Sequence, residues 1–370
     1  MKHEPLSQAE RRDRLRLIRT DHIGPVTWRE LVTHCGSATD AIAALPELAG
    51  RRRIDIAGAD DADAELERLG ALGATTLTLG EVGYPAALTA LDDAPPVLAV
   101  RGDPAALAKT NIAIVGARNA SANGQRLAET LAADIARDPD VSVVSGLARG
   151  IDTAAHAGAL AAGGTTIAVM AGGIDIVYPP ENGGLYRKIL DRGAVVSELP
   201  PGLKPKSRHF PRRNRIVSGL SLAVVIVEAE RRSGSLITAR LAGEQGRAVL
   251  AVPGSPLDPR AYGANHLIRE GAILVRDAAD VFEAVRPMTP AVRTRAEAPE
   301  STPPEPLFEP DAGGAESRRT VISCLSPEPV AVDEIVRRCQ LTAPVVRTIL
   351  LELELAGRVE RHPGNRVAAC

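Results

Sequence analysis

From about Asn111 to Val285, short β-branched or apolar runs alternate with longer stretches whose apolar residues recur at helical spacing. The short runs are Ile112–Val115, Val141–Val144, Thr165–Val169, Ala194–Val196, Leu222–Val227, Ala248–Val252 and Ile273–Val275. Unbroken apolar strands need cover on both faces, so the alternation predicts a mainly parallel sheet layered with helices, an extended Rossmann-like α/β domain spanning 76–286.

On either side of that domain the pattern changes. Residues 1–75 read as small helices, with apolar spacing at Leu15, Leu17 and Ile18, then Trp28, Leu31 and Val32. The turn Ile23-Gly24-Pro25-Val26 makes this module SAM- or helix-hairpin-helix-like; such a turn offers amides to phosphate or merely joins packed helices. Pro287, Pro290, Pro299, Pro303, Pro304, Pro306 and Pro310 mark 287–316 as a linker. Helical spacing returns at Arg318–Leu325, Val332–Cys339 and Ala343–Ala356, then a Pro363-Gly364-Asn365 turn suggests a hairpin: a winged helix at 317–370. Its third helix sets Arg347 against Glu352 and Glu354, a thin basic face for a DNA groove, so protein interaction or weak DNA contact is expected there.

The 370 residues carry a net charge of -2, so any nucleic-acid signal must come from local clustering. Cys35, Cys324, Cys339 and Cys370 form no CxxC pair, which argues against a metal site or a disulfide framework and for a reducing, cytoplasmic setting. No run approaches the ~20 apolar residues of a membrane helix. No GxGxxG follows Ile112–Val115, and none of the five lysines sits in a GxxxxGK loop, so neither a dinucleotide nor a P-loop nucleotide is expected, and no cofactor.

Two strand-to-helix turns look suited to anions. The first, after Val115, has Gly116 for the bend, Arg118 as a forked cation and Ser121 as a helix cap. The second runs Ser145-Gly146-Leu147-Ala148-Arg149-Gly150-Ile151-Asp152. Asp152 and His156, four apart on the next helix, are either an acid-base pair or a loop support beside a packed histidine, and the second reading is favoured. Leu203 to Arg215 holds Lys204, Lys206, Arg208, Arg212, Arg213 and Arg215, with Asn214 among them and no acid between Glu198 and Glu228. Phe210, one of only three phenylalanines, sits in its middle, the combination that pairs phosphates with cations and stacks an unpaired base on a ring. Ser233-Gly234-Ser235-Leu236-Ile237-Thr238 is a third glycine-serine turn, similar to phosphate loops of nucleotide hydrolases, and it keeps a nucleotide-processing enzyme open as an alternative.

The segments Ser145–His156 and Phe210-Pro211-Arg212-Arg213-Asn214-Arg215, with Gly163-Gly164-Thr165, Gly173-Ile174-Asp175, Tyr178-Pro179, Ser233–Thr238, Ala251-Val252-Pro253-Gly254 and Gly263-Ala264-Asn265, resemble the bacterial DNA-processing protein A (DprA/Smf) family. The resemblance implies a non-enzymatic protein that binds single-stranded DNA, dimerises and helps load RecA during natural transformation. It carries the DNA pocket onto Arg118, Ser145, Gly146, Phe210, Arg212, Asn214 and Arg215, with Lys204 and Lys206 as auxiliaries; Ser121 and Arg213 join them from the reading of the residues.

Overall fold

The computed structural model describes residues 6–50, 52–286, 314–362 and 364–370. These form two compact units, 63–286 in one and 7–62 with 314–370 in the other.

Around one nine-stranded sheet the first unit arranges β1 (Ala74–Thr78), α5 (Ala86–Thr89), β2 (Val97–Gly102), β3 (Thr110–Gly116), α6 (Ala122–Ala136), β4 (Val141–Ser145), α7 (Ile151–Ala161), β5 (Thr165–Val169), α8 (Gly183–Arg192), β6 (Ala194–Ser197), α9 (His209–Leu220), β7 (Ala223–Val227), α10 (Gly234–Glu244), β8 (Ala248–Ala251), α11 (Tyr262–Arg269), β9 (Ile273–Leu274) and α12 (Ala278–Val285). Strand order is β1-β2-β6-β5-β4-β3-β7-β8-β9, parallel from β6 to β9, with β1 and β2 antiparallel additions at one edge. All seven expected strands are present; β1 and β2 were not foreseen. β4 and β7 are buried at every position, as their Val/Ile content requires of strands covered on both faces. Each such side chain contributes roughly 1.5–3 kcal/mol by leaving water. On one face α6, α7 and α12 close over Ile112, Ile114, Val143, Val225 and Val227.

The chain travels one way across the sheet from β3 to β6, then returns to the other side of β3 for β7, β8 and β9. Between β3 and β7 the connections diverge, leaving a crevice beyond the carboxyl ends of the strands. Two glycines draw its walls together. A Cβ on Gly116 would lie 1.8 Å from the Val227 carbonyl oxygen. Gly150 has φ +73°, and a Cβ there would lie 2.3 Å from the Ala117 oxygen, so the second turn rests directly on the first.

The second unit holds α1 (Gln8–Arg19), α2 (Pro25–Cys35), α3 (Ala38–Leu48), the start of α4 (Ala59–Ala71), and a winged helix of α13 (Ala315–Ser323), β10 (Val330–Ala331), α14 (Val332–Cys339), α15 (Ala343–Leu355), β11 (Val359–His362) and β12 (Arg366–Ala369). The residues of α4 from Asp63 onward fall in the first unit. The expected linker at 287–316 lies outside the described residues except for its last three, of which Ala315 and Glu316 open α13. Inside the unit Thr27 Oγ1 donates to Glu354 at 2.8 Å, and Arg361 joins Glu354 and Glu30. Burial pushes the Glu30 carboxyl up to about 7, Arg361 opposing and Glu354 adding. The carboxylate that thinned the basic face of α15 is thus a packing group. Among the described residues no helix is long and apolar enough to cross a membrane.

Candidate nucleic-acid interface

Two adjoining clefts open at the crevice. The smaller, of about 180 Å³, is lined by Arg118, Arg149, Tyr178, Pro205 and Phe210 over a floor of Met170 and Ile176. The larger, of about 400 Å³, continues from Arg118 and Gly146 toward Arg232, Ser233, Gly234 and Thr238. Arg118, Asn119, Gly146, Ala148 and Phe210 border both, so the two form one trough across the ends of β3, β4 and β7.

The first two turns do not hold an open anion site. Ser121 caps α6 by accepting from Gly124 N–H at 2.9 Å, but its hydroxyl and its own amide both donate to the Glu228 carboxylate. At the second turn the Asp152 carboxylate accepts from the Gly146 and Ala148 amides at 3.1 and 3.3 Å. Each turn therefore gives backbone amides to one of the protein's own carboxylates, amides that a phosphate would otherwise have to share. Ser145 is fully buried and donates to the Ile114 carbonyl at 2.7 Å. Ser121 and Ser145 are structural residues here, and Gly146 borders the trough through its surface rather than a free amide.

Helix α9 divides the basic segment in two. Phe210 lies half-buried at the trough, its ring edge-on to Tyr178 with centroids 5.8 Å apart and the Arg118 guanidinium 4.8 Å from its centroid. Arg212, Lys204 and Lys206 are exposed, and like Arg118 none has an ion pair among the described residues. Asn214 borders the trough and donates to the Gly234 carbonyl at 3.3 Å. Arg213 and Arg215 turn inward. Arg213, 6% exposed, donates to the Gly146 and Val169 carbonyls and stands beside Asp152. Burial lowers its pKa to about 10, Asp152 opposing; burial likewise pushes the Asp152 carboxyl up against Arg213 and the two amides. Arg215 is paired to Glu198 and bonded to the Asp93 carbonyl. The expectation of an uncompensated charge across the whole segment is corrected: Glu198 neutralises Arg215, and only the outward cations face solvent.

His156 is fully buried, contacts Thr166 Oγ1 at 2.7 Å through Nδ1, and is held down to about 3 by burial and then by Arg213. With Asp152 occupied by backbone amides, the pair is a packing device and not a proton relay.

Three features escaped the sequence reading. Tyr178, 49% exposed, supplies a second ring beside Phe210. Arg232, with no ion pair among the described residues, borders the larger cleft. The third turn, undervalued in isolation, is the one left open: Ser233 caps α10 through Ser235 N–H at 3.4 Å, and no carboxylate of the described residues accepts from its first amides. Thr238, 2% exposed and with no side-chain hydrogen bond among the described residues, borders the same space. The glycine-serine pattern was the available signal; its emptiness depends on which neighbours carry acids.

Comparison with known proteins gives a consistent answer along the chain. Residues 75–286 match the family model for DNA recombination-mediator protein A, 8–67 match a DprA-like N-terminal HHH domain, and 297–365 match a DprA winged helix domain. Protein Smf of Escherichia coli is 40% identical over 77% of this chain and 74% of its own length. DNA processing protein DprA of Bacillus subtilis is 46% identical over 57% of this chain and 71% of its own. Among solved structures, DNA processing protein A of Streptococcus pneumoniae superposes with a TM-score of 0.64 at 34% identity, covering 76% of this chain and 98% of that one. DNA processing protein A of Helicobacter pylori, solved for its single-stranded DNA binding mode, gives 0.52 at 28% identity over 58% of this chain and 96% of that one.

Proposed function

Since the chain belongs to the DNA recombination-mediator protein A (DprA/Smf) family, we propose that it binds single-stranded DNA along the trough at the β3/β7 crevice and does no covalent chemistry on it. The observation that carries this reading is the half-buried Phe210 ring, flanked by Tyr178 and Arg118 in a trough that Arg232 also borders, both arginines without an ion pair among the described residues. A ring beside phosphate-binding cations serves an unstacked base, whereas duplex DNA keeps its bases stacked. Arg118, Arg212, Lys204 and Lys206 are the phosphate partners, Phe210 and Tyr178 the base platform, and the α10 turn with Arg232 the anchor for a further phosphate. The Helicobacter relative's single-stranded DNA binding supports single-stranded DNA as the ligand.

A nucleotide-processing enzyme would use the first two turns for phosphate and a titrating pair for chemistry. Those turns hold Glu228 and Asp152 instead, and His156 is sealed from the trough. Loading of RecA in natural transformation, assembly as a homodimer, a cytoplasmic location and module bounds at 75, 286 and 316 belong to the same proposal. Exposed Ile273 and Leu274 on edge strand β9 support a second copy as partner.

Competition between single- and double-stranded oligonucleotides at two salt concentrations tests the reading. The expected result is preference for the single strand and a slope of log affinity on log salt of about -0.7 per phosphate held. Tight mononucleotide binding with a flat salt response would favour the enzyme instead.

A further inference from the structure

We infer that the strand path leaves the trough over a second base-stacking step, built from Arg231, Tyr262 and His266 on the loop after β7 and the start of α11. This step rests on the single-strand reading of the trough and adds a site to it.

The loop that walls the larger cleft also carries the step. Arg232 borders the cleft, while Arg231, its neighbour in the chain, lies with its guanidinium 4.1 Å from the Tyr262 ring centroid. Tyr262 and His266, one helical turn apart, stack with centroids 6.2 Å apart at 18°. The backbone holds α11 against the loop at two points: Ala229 N–H donates to the Arg260 carbonyl, and Gly263 N–H to the Ala229 carbonyl, both at 2.6 Å. A Cβ on Gly263 would lie 2.7 Å from the Ala229 oxygen, so the residue after Tyr262 must be small for this approach. The two arginines are adjacent Cα positions, about 3.8 Å apart. A phosphate held by Arg232 therefore brings the next nucleotide within reach of Arg231.

Packing does not account for this group. Tyr262 is 42% exposed in a chain where aromatics make up 2% of residues, and neither Arg231 nor Arg232 has an ion pair among the described residues. The nearby Arg260 is already paired with Asp258, so it does not compete for the ring. Glu230 borders the cleft on the same loop and repels phosphate on its own side, which turns the strand toward the two arginines. An exposed planar ring stacked with a guanidinium and an imidazole is a surface on which a further unpaired base can lie.

Oligo-dT of about 6 and about 16 nucleotides separates the two sites, since the shorter spans one platform and the longer reaches past it. Wild type, Phe210→Ala, Tyr262→Ala and Tyr262→Phe are compared, with unfolding midpoint and sedimentation recorded for each. The expected outcome is that Tyr262→Ala leaves the short oligomer unchanged and weakens the long one about tenfold. Tyr262→Phe, which keeps the ring, matches wild type at both lengths. If Tyr262→Ala is silent at both lengths while Phe210→Ala weakens both, the step is wrong and the trough stands. Equal weakening at both lengths, or weakening accompanied by a changed assembly state, also overturns it. If Phe210→Ala is silent at both lengths, the single-strand reading falls and the step falls with it.

Discussion

The two turns ahead of α6 and α7 differ from the turn ahead of α10 in how their amides are used: a carboxylate accepts from backbone amides in each of the first two, whereas no carboxylate of the described residues accepts from the first amides of α10, although Glu230 borders that cleft. All three follow a buried parallel strand and lead into a helix. Glu228 reaches the first from the end of β7 and Asp152 folds back onto the second, whereas the third keeps its donors and lies beside Arg232. The contrast teaches that a helix start attracts any anion, including one from the same chain, and that the fold decides which starts remain for a ligand. Helix α9 repeats the lesson with the opposite charge: Arg213 and Arg215 serve the interior while Arg212 keeps to the solvent.

The largest effect expected from this division is on stability. Arg213→Ala strands the Asp152 carboxylate in a buried site and should cost about 3–5 kcal/mol, measured by urea unfolding. Combined with Asp152→Asn, it should cost less than the sum of the two single changes, because the second change removes the charge left unpaired. Additive losses would mean that Arg213 acts only through the carbonyls it binds.

Removing Glu228 should convert a filled turn into an open one. Glu228→Ala deletes the acceptor of the Ser121 amide and hydroxyl, a loss of about 1.5–3 kcal/mol for hydrogen bonds to a charged group. Added inorganic phosphate should recover part of it, rising with concentration as binding to the folded state alone requires. Wild type, with its turn occupied, should gain less over the same range. Equal gains in both proteins would place the phosphate elsewhere.

On the outward side, Phe210→Ala should weaken oligo-dT binding by ~1–3 kcal/mol and leave the salt slope alone, because stacking is lost while every cation stays. A changed slope would mean that the ring positions Arg118 more than it touches a base.

How much of this was legible follows the same line between local and distant information. The seven parallel strands announced themselves because both-sided burial writes a continuous apolar run. Ala74–Thr78 and Val97–Gly102 were passed over: the first carries three threonines at the sheet edge, and strand polarity is not written in periodicity. Phe210 was legible from its place amid six cations in a chain poor in aromatics, and Arg118 from the glycine turn that follows β3. The inward turn of Arg213 was also recoverable, since Arg213, Ile216, Val217 and Leu220 fall on one buried helical face. The plugging of Ser121 by Glu228 was not, because it joins positions 107 residues apart and depends on the side of β3 to which β7 returns.

The smallest effect sharpens the comparison most, because it sets against each other two arginines of one segment. Arg212 is exposed and has no ion pair among the described residues, so Arg212→Ala should leave the unfolding midpoint in place and flatten the salt slope of oligo-dT binding by about 0.7, one phosphate contact. Arg215 is 6% exposed and tied to Glu198 and the Asp93 carbonyl, so Arg215→Ala should lower the midpoint and leave the slope of the folded protein where it was. Charge lost is identical in the two variants; only the direction of the side chain differs. Should Arg215→Ala flatten the slope as much as Arg212→Ala, net charge and not placement would govern binding, and the inward and outward faces of α9 would lose their separate roles.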